Sequence, residues 1–196
     1  MTRGPQKQFD TEVALDKAME VFWAHGYEAA SLAELLKNMG IGKKSLYDTF
    51  GNKKSLFIKA LEHYALTTVK GMRDRLSSEG SALENLKQLL QEWQKMHSQP
   101  GSCGCMLGTN IADFTTEDAE IAKLLRNYLQ QVEDVFCTAL TQAQSDGEIV
   151  SDIESRNLAR LLLCTTQGIA LVGRVMEDDT TITGSVQTIL LLLESS

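Results

Sequence analysis

A chain of 196 residues that is 43% hydrophobic and has only two prolines can bury a substantial core in one large or two small domains, and its composition points to a soluble, mostly helical protein. Four cysteines, at 103, 105, 137 and 164, do not make the framework of a small secreted fold and read as thiols in a reducing cytosol. The net charge of −7 excludes a uniformly basic partner for phosphate, yet the charge is regional: residues 1–60 carry nine Lys and Arg against seven Asp and Glu, and residues 61–196 carry ten against nineteen.

The N-terminal decapeptide MTRGPQKQFD has no apolar h-region, so no secretory signal is expected. The most apolar stretches, 158–173 and 189–193, are too short or too interrupted to span a bilayer, and a cytoplasmic location with no membrane partner is expected by elimination. Arg3 and Lys7 lie in a polar arm that can touch a phosphate backbone. A first helix is predicted from Asp10, its cap, to His25, with Val13, Ala14, Ala18, Met19, Val21 and Phe22 on the buried side and a left-handed C-cap at Gly26. His25 beside that glycine reads as a further C-terminal cap.

Residues 31–50, SLAELLKNMGIGKKSLYDTF, organise the rest of the chain. Ser31 caps a second helix, with Glu34 placed to complete a capping box. Leu32, Leu35, Leu36 and Met39 form one apolar stripe, Gly40 stops the helix and Ile41 plugs the turn. In the short third helix Leu46 and Phe50 face inward, leaving Lys43, Lys44, Ser45, Tyr47 and Thr49 on the outside. This is a helix-turn-helix whose second helix suits a major groove. Lys43 and Lys44 sit where the helix N-terminus adds its own partial positive charge, favouring phosphates and the acceptor-rich edge of guanine. Tyr47 can offer its hydroxyl to a phosphate, and Lys53 and Lys54 open a fourth helix beside the groove.

The run Ala18, Phe22, Trp23, Gly26, Tyr27, Ser31, Gly40, Ile41, Leu46, Tyr47, Phe50 and Lys53, with Leu56 and Phe57 beyond, resembles the DNA-binding domain of the tetracycline-repressor-like (TetR/AcrR) transcriptional regulators. The match is close over residues 10–60 and rests on length and helical character beyond them. The resemblance implies that Ser31 lies near phosphate as well as capping its helix. That family pattern has Ser or Thr at the position of Gly42, Gly at that of Lys44 and His or Tyr at that of Thr49, so the operator sequence and the individual contacts are not carried over.

The fourth helix is predicted from Lys53 to Leu76, long enough to leave the DNA-binding head and enter the body, so that a tilt of the body would reach the head. His63 reads as exposed on it. After the Ser77, Ser78, Gly80, Ser81 linker, Leu83, Leu86, Leu89, Leu90, Trp93 and Met96 mark a fifth helix ending before Pro100. The irregular segment QPGSCGCMLGTNIADF holds Cys103 and Cys105, a thiol pair near a helix start that could sense oxidants or electrophiles, while Cys105, Met106 and Ile111 can equally be plain core. With His97 the only nearby imidazole, no tetrahedral zinc set is complete, and no metal or cofactor is expected. A seventh helix is predicted from Glu117 to Asp146 and ended by Gly147. The next, from Asp152 to Met176, is apolar on nearly every side and should be buried all round. Its uncovered part, with Ile182, Val186, Ile189, Leu190 and Leu193 of the last helix, would pack against a second copy in a symmetric four-helix bundle, Gly168 and Gly173 permitting close approach.

The expected fold is all-α with about nine helices. A three-helix helix-turn-helix domain at 8–60 precedes a helical effector-binding and dimerisation domain at 61–196. The expected function is a homodimeric, ligand-responsive transcriptional regulator, most simply a repressor that leaves a palindromic double-stranded operator when a small effector binds the body. The resemblance implies a pocket within the fifth to eighth helices, for which Trp93, Met96, Asn110, Phe114, Tyr128, Phe136, Thr166 and Gln167 are the candidates. Asp113 and Arg126 are the only charges nearby, so a largely apolar or aromatic effector is expected. The alternatives are a regulator that senses through Cys103 and Cys105, or an interaction module that keeps the fold without reading DNA. An enzyme is the weakest class, because His25 and His97 lack a paired nucleophile or carboxylate and no phosphate-cradling glycine loop is present.

Overall fold

The structure, a computed structural model, describes residues 9–99, 101–114, 118–150, 152–176 and 178–194, with the backbone alone for 111–114. Its helices are α1 (Thr11–Ala29), α2 (Leu32–Met39), α3 (Lys43–Phe50), α4 (Lys53–Leu76), α5 (Ala82–His97), α6 (Met106–Phe114), α7 (Ala119–Ser145), α8 (Ser155–Val172) and α9 (Thr180–Glu194). The chain divides within α4 into two compact units, one ending at Ala65 and the other starting at Leu66.

The first unit is held by aromatic rings. Phe57 is fully buried, and its ring lies 5.0 Å from those of both Phe22 and Tyr27. Trp23 and Tyr64 meet edge to face at 5.1 Å. Ala18, Leu35, Leu46, Leu56 and Leu61 fill the space around them, each fully buried. Asp10 caps α1 through its carboxylate, which accepts from the N–H groups of Glu12 and Val13.

Three local expectations are corrected here. Gly26 does not end α1 in a left-handed cap: its φ of 77° and ψ of 175° break the helix, which resumes for one further turn to Ala29. His25 does not cap that end, because its Nε2 lies 3.2 Å from the Glu34 carboxylate on α2. His63 is only 24% exposed, and its Nε2 is 2.6 Å from Asp16 Oδ1, so α1 and α4 are tied by an imidazole–carboxylate pair that sequence spacing does not reveal.

The second unit is an aliphatic bundle. α7 and α8 share its most extensive packing, α5 lies against α7 and α9, and α6 sits over α7 and α8. Leu86, Leu90, Leu107, Ile121, Leu125, Tyr128, Val132, Phe136, Leu140 and Leu162 form its centre. Ser81 and Asp118 cap α5 and α7 with side-chain oxygens. The loop between α5 and α6 is pressed against the end of α8. A Cβ on Gly104 would stand 2.5 Å from the Ala170 carbonyl oxygen, and one on Gly173 would stand 2.5 Å from that of His97.

α7 starts at Ala119 rather than Glu117, and α8 is shorter than expected, ending at Val172 because Gly173, Arg174 and Val175 form turns. Within one chain α8 is covered over only part of its surface: Leu161 is 47% and Leu171 59% exposed, and Cys164 is exposed as well. Conversely Ile182, Val186, Ile189 and Leu193 of α9 are buried within their own unit, which leaves Leu191 and Leu192 outward. Gly173 is likewise occupied by its contact with the His97 carbonyl, whereas nothing lies within 4 Å of a Cβ on Gly168.

Candidate nucleic-acid interface

The turn between α2 and α3 is set by Gly40, whose φ of 67° and ψ of 28° place it in the left-handed region that glycine enters without strain. Met39, Leu46 and Phe50 bury the inner faces of α2 and α3. With those three inside, helical geometry turns Lys43, Lys44, Tyr47 and Asp48 outward, and all four are exposed. Ser45 and Thr49 are half-buried at the edges of that face.

Lys43 and Lys44 form no ion pair among the described residues. Gly42, the N-cap of α3, has no side-chain oxygen, so the first-turn N–H groups receive no side-chain cap. Two unpaired ammonium groups and a set of uncapped N–H donors at one helix start make a local anion acceptor. Tyr47, 47% exposed on the following turn, adds a hydroxyl donor.

Ser31 Oγ accepts from the Glu34 N–H at 3.1 Å, which leaves its own proton available to an outside acceptor. Glu34 pairs with His25, and the reciprocal half of the expected capping box is absent among the described residues. Lys53 is placed differently from its neighbours. Its Nζ donates to the Glu28 carbonyl at 3.3 Å and lies 4.7 Å over the Tyr27 ring, so it clasps the end of α1 to the start of α4. Lys54 is exposed at the same helix start, and the arm bearing Arg3 and Lys7 lies outside the described residues. Asp48 and Lys37 are exposed on α3 and α2 and were not singled out from sequence. A carboxylate at a groove repels phosphate but accepts from the cytosine amino group, and the signal for both residues was their place on the faces opposite Leu46 and Leu35.

Asn110, Tyr128, Phe136 and Thr166 are buried, Trp93 is half-buried and stands edge to face with His97, and Met96 is 51% exposed. The Phe114 and Asp113 side chains lie outside the described residues, and Arg126 is exposed. Asn110 Nδ2 donates to the Met106 carbonyl at 2.5 Å, and Thr166 Oγ1 donates to that of Leu162 at 2.7 Å. Gln167 differs: its Oε1 and Nε2 are both buried with no hydrogen-bond partner among the described residues.

Cys105 is buried at the start of α6, where its Sγ accepts from the Gly108 N–H at 3.3 Å and lies 3.6 Å from Tyr128 Oη. Cys103 is half-buried. His97 is 4% exposed with Nδ1 3.1 Å from Ser102 Oγ, and its burial lowers its pKa below the ordinary imidazole value. Among the described residues no group of three or more His, Cys, Asp or Glu side chains could hold a metal ion, and no helix is long and apolar enough to cross a membrane.

Comparison with known proteins places both halves. Residues 14–60 match the family described as bacterial regulatory proteins of the tetR family, and residues 82–189 match the tetracyclin repressor-like C-terminal domain. The transcriptional regulator YezE of Bacillus subtilis is 32% identical over 177 residues, covering 89% of this chain and 91% of its own. The transcriptional repressor ComR of Escherichia coli is 32% identical over 178 residues, covering 88% and 83%. A cysteine mutant of the regulator CifR, solved with a 26-base-pair double-stranded operator, is 29% identical with a TM-score of 0.80, covering 94% of this chain and 97% of that one. Escherichia coli NemR in its reduced form shares the fold at 19% identity and a TM-score of 0.82, covering 91% and 93%. With both family descriptions matched in order along an all-helical chain, the protein belongs to the TetR family of DNA-binding transcriptional regulators and is not an enzyme.

Proposed function

We propose that the chain acts in the cytoplasm as a homodimeric repressor that reads a palindromic operator through α3 and releases it when a small molecule binds the second unit. The observation that carries the DNA reading is the outward start of α3, where Lys43 and Lys44 stand unpaired beside an N-cap that offers no side-chain acceptor. These two, with Ser31, Ser45, Tyr47, Thr49 and Lys54, are the contact residues. Lys53 orders the head from inside. The domain assignment stays as a head of residues 8–60 and a body of 61–196. ComR is a repressor and CifR has been solved on its operator, which supports the same action here.

Dimerisation is supported by the apolar stripe left uncovered on α8. Leu161, Cys164, Gly168 and Leu171 fall within roughly a quarter-turn of one another at helical spacing, and Leu191 and Leu192 are uncovered on α9. For the effector, Gln167 is the strongest of the eight candidates, since a buried amide without partners gains most from a ligand. The test is a mobility-shift series with DNA from upstream of the gene. A specific complex that weakens steeply as salt rises is expected. Absence of any specific complex at low salt would overturn the reading in favour of a protein-interaction module.

A second reading has its own observation. The Gly108 N–H donates to Cys105 Sγ and fixes the sulfur at the start of α6, where attack of its thiolate on a peroxide would give a sulfenic acid and release hydroxide. Operator release by hydrogen peroxide that disappears in Cys105→Ser supports it; release that survives the substitution removes it.

A further inference from the structure

The second unit contains a cleft that none of the candidate effector residues lines. It has a volume of about 410 Å³ and is walled by the last turn of α4 (Arg73, Leu76), the linker and start of α5 (Ser78, Ala82, Asn85) and the middle of α7 (Asp134, Val135, Thr138, Ala139). That volume falls within the range of small-molecule sites, about 300–1,000 Å³.

Its chemistry is uneven. Leu76, Ala82, Val135 and Ala139 supply apolar wall, all buried. Asn85 is only 7% exposed; its Nδ2 donates to the Ser78 carbonyl at 2.8 Å, and its Oδ1 accepts nothing among the described residues. Arg73 is the only cation in the lining and has no carboxylate partner among the described residues. Asp134, the only carboxylate there, is taken by Arg156, whose Nη1 lies 2.5 Å from Oδ1. The start of α5 adds no free donor of note: Ser81 caps Glu84, and the Leu83 N–H donates to the Glu148 carboxylate at 2.8 Å. Among the described residues the cleft therefore offers a guanidinium without a carboxylate and an amide oxygen without a donor, beside a patch of aliphatic wall.

We propose that this cleft binds an amphipathic organic anion, its acid group on Arg73, a hydrogen-bond donor on Asn85 Oδ1, and its apolar body against Leu76, Val135 and Ala139. A guanidinium holds an acid group by charge-assisted hydrogen bonds, and an acceptor without a partner on the cleft wall favours ligands that carry a donor. Because the wall includes Arg73 and Leu76 at the end of the helix whose first turn carries Lys53 and Lys54, an occupant that prefers one position of that turn shifts the DNA-competent population. This regulatory consequence rests on the operator reading above; the binding site does not.

The probe is 8-anilinonaphthalene-1-sulfonate, an aromatic anion with one N–H donor, titrated by fluorescence into the whole protein. Saturable binding at one site per chain is expected. Arg73→Gln should weaken it about tenfold. Thr138→Trp, at an exposed position that leaves the core intact, should abolish it by filling the cleft, and Val150→Ser, at an exposed apolar side chain between α7 and α8, should leave it unchanged. Probe binding that persists in Thr138→Trp, or that is lost in Val150→Ser, overturns the assignment. Saturating probe should also weaken the operator complex of the wild type at least fivefold and leave that of Thr138→Trp unaffected. An operator complex that ignores bound probe overturns the regulatory part alone. Failure to form any operator complex overturns the DNA reading and leaves the fluorescence result standing.

Discussion

The two units solve the same packing problem with different materials. The first is pinned by interlocking rings, Phe22, Tyr27 and Phe57 at one place and Trp23 with Tyr64 at another. The second is filled mostly by Leu, Ile, Val and Ala, and it retains a cleft, a buried amide without partners and a thiol bonded to a helix start. Rings are rigid and their contacts directional, which would suit the proposed presentation of Lys43 and Lys44 to DNA at a set angle. Aliphatic helices with vacant polar groups can settle in more than one way, which would suit the ligand response proposed above.

This contrast can be broken by experiment. Phe57→Ala should be the most damaging change, costing about 3–5 kcal/mol because the rings of Phe22 and Tyr27 lose their common neighbour. Chemical denaturation followed by tryptophan fluorescence checks it, and a cost below 1 kcal/mol would show that the head does not depend on its aromatic core. Next comes Lys43→Ala combined with Lys44→Ala, expected to weaken the operator complex on the order of a hundredfold with the melting temperature unchanged. Retained affinity in a mobility-shift assay would remove these two lysines from the interface.

Ser31→Ala should act on both properties of the head at once. Loss of the cap to Glu34 N–H costs about 1 kcal/mol, and DNA affinity should fall by more than the stability loss explains if the hydroxyl proton also reaches phosphate. Calorimetry paired with binding separates the two.

The smallest effect belongs to the body. His97 has a folded-state pKa below its ordinary value because burial disfavours the imidazolium, so the unfolded chain binds the proton more readily. Stability should therefore be full above the ordinary imidazole pKa near 6.5 and decline as pH falls from there toward the lowered folded value. In His97→Asn, which keeps a group able to reach Ser102, that decline should flatten. Identical acid profiles for the two proteins would show that the slope comes from elsewhere.

The head was readable from sequence because its determinants are local. The cap at Ser31, the left-handed turn at Gly40 and the inward spacing of Leu46 and Phe50 each act within one or two helical turns. What sequence missed there was long-range: His63 reaching Asp16, His25 reaching Glu34 and Lys53 turning onto Tyr27. In the body the helices were legible but their lining was not. The apolar period of α9 marks Ile182, Val186, Ile189 and Leu193 as buried without saying against what, and the structure buries them at home. Arg73 carried no local signal at all, since its significance comes from α5 and α7 closing around it.

The glycines at 104 and 173 set a limit on how this protein can change. Each sits where the smallest added carbon would strike a backbone oxygen across the joint, Ala170 in one case and His97 in the other, and backbone cannot swing aside as a side chain can. The segment carrying Cys103 and Cys105 is thus latched to the end of α8 from both sides, and a single methyl at either position would spring it. If the release proposed above runs through this joint, variants that drift at these two positions would keep a head able to hold operator while losing its means of letting go.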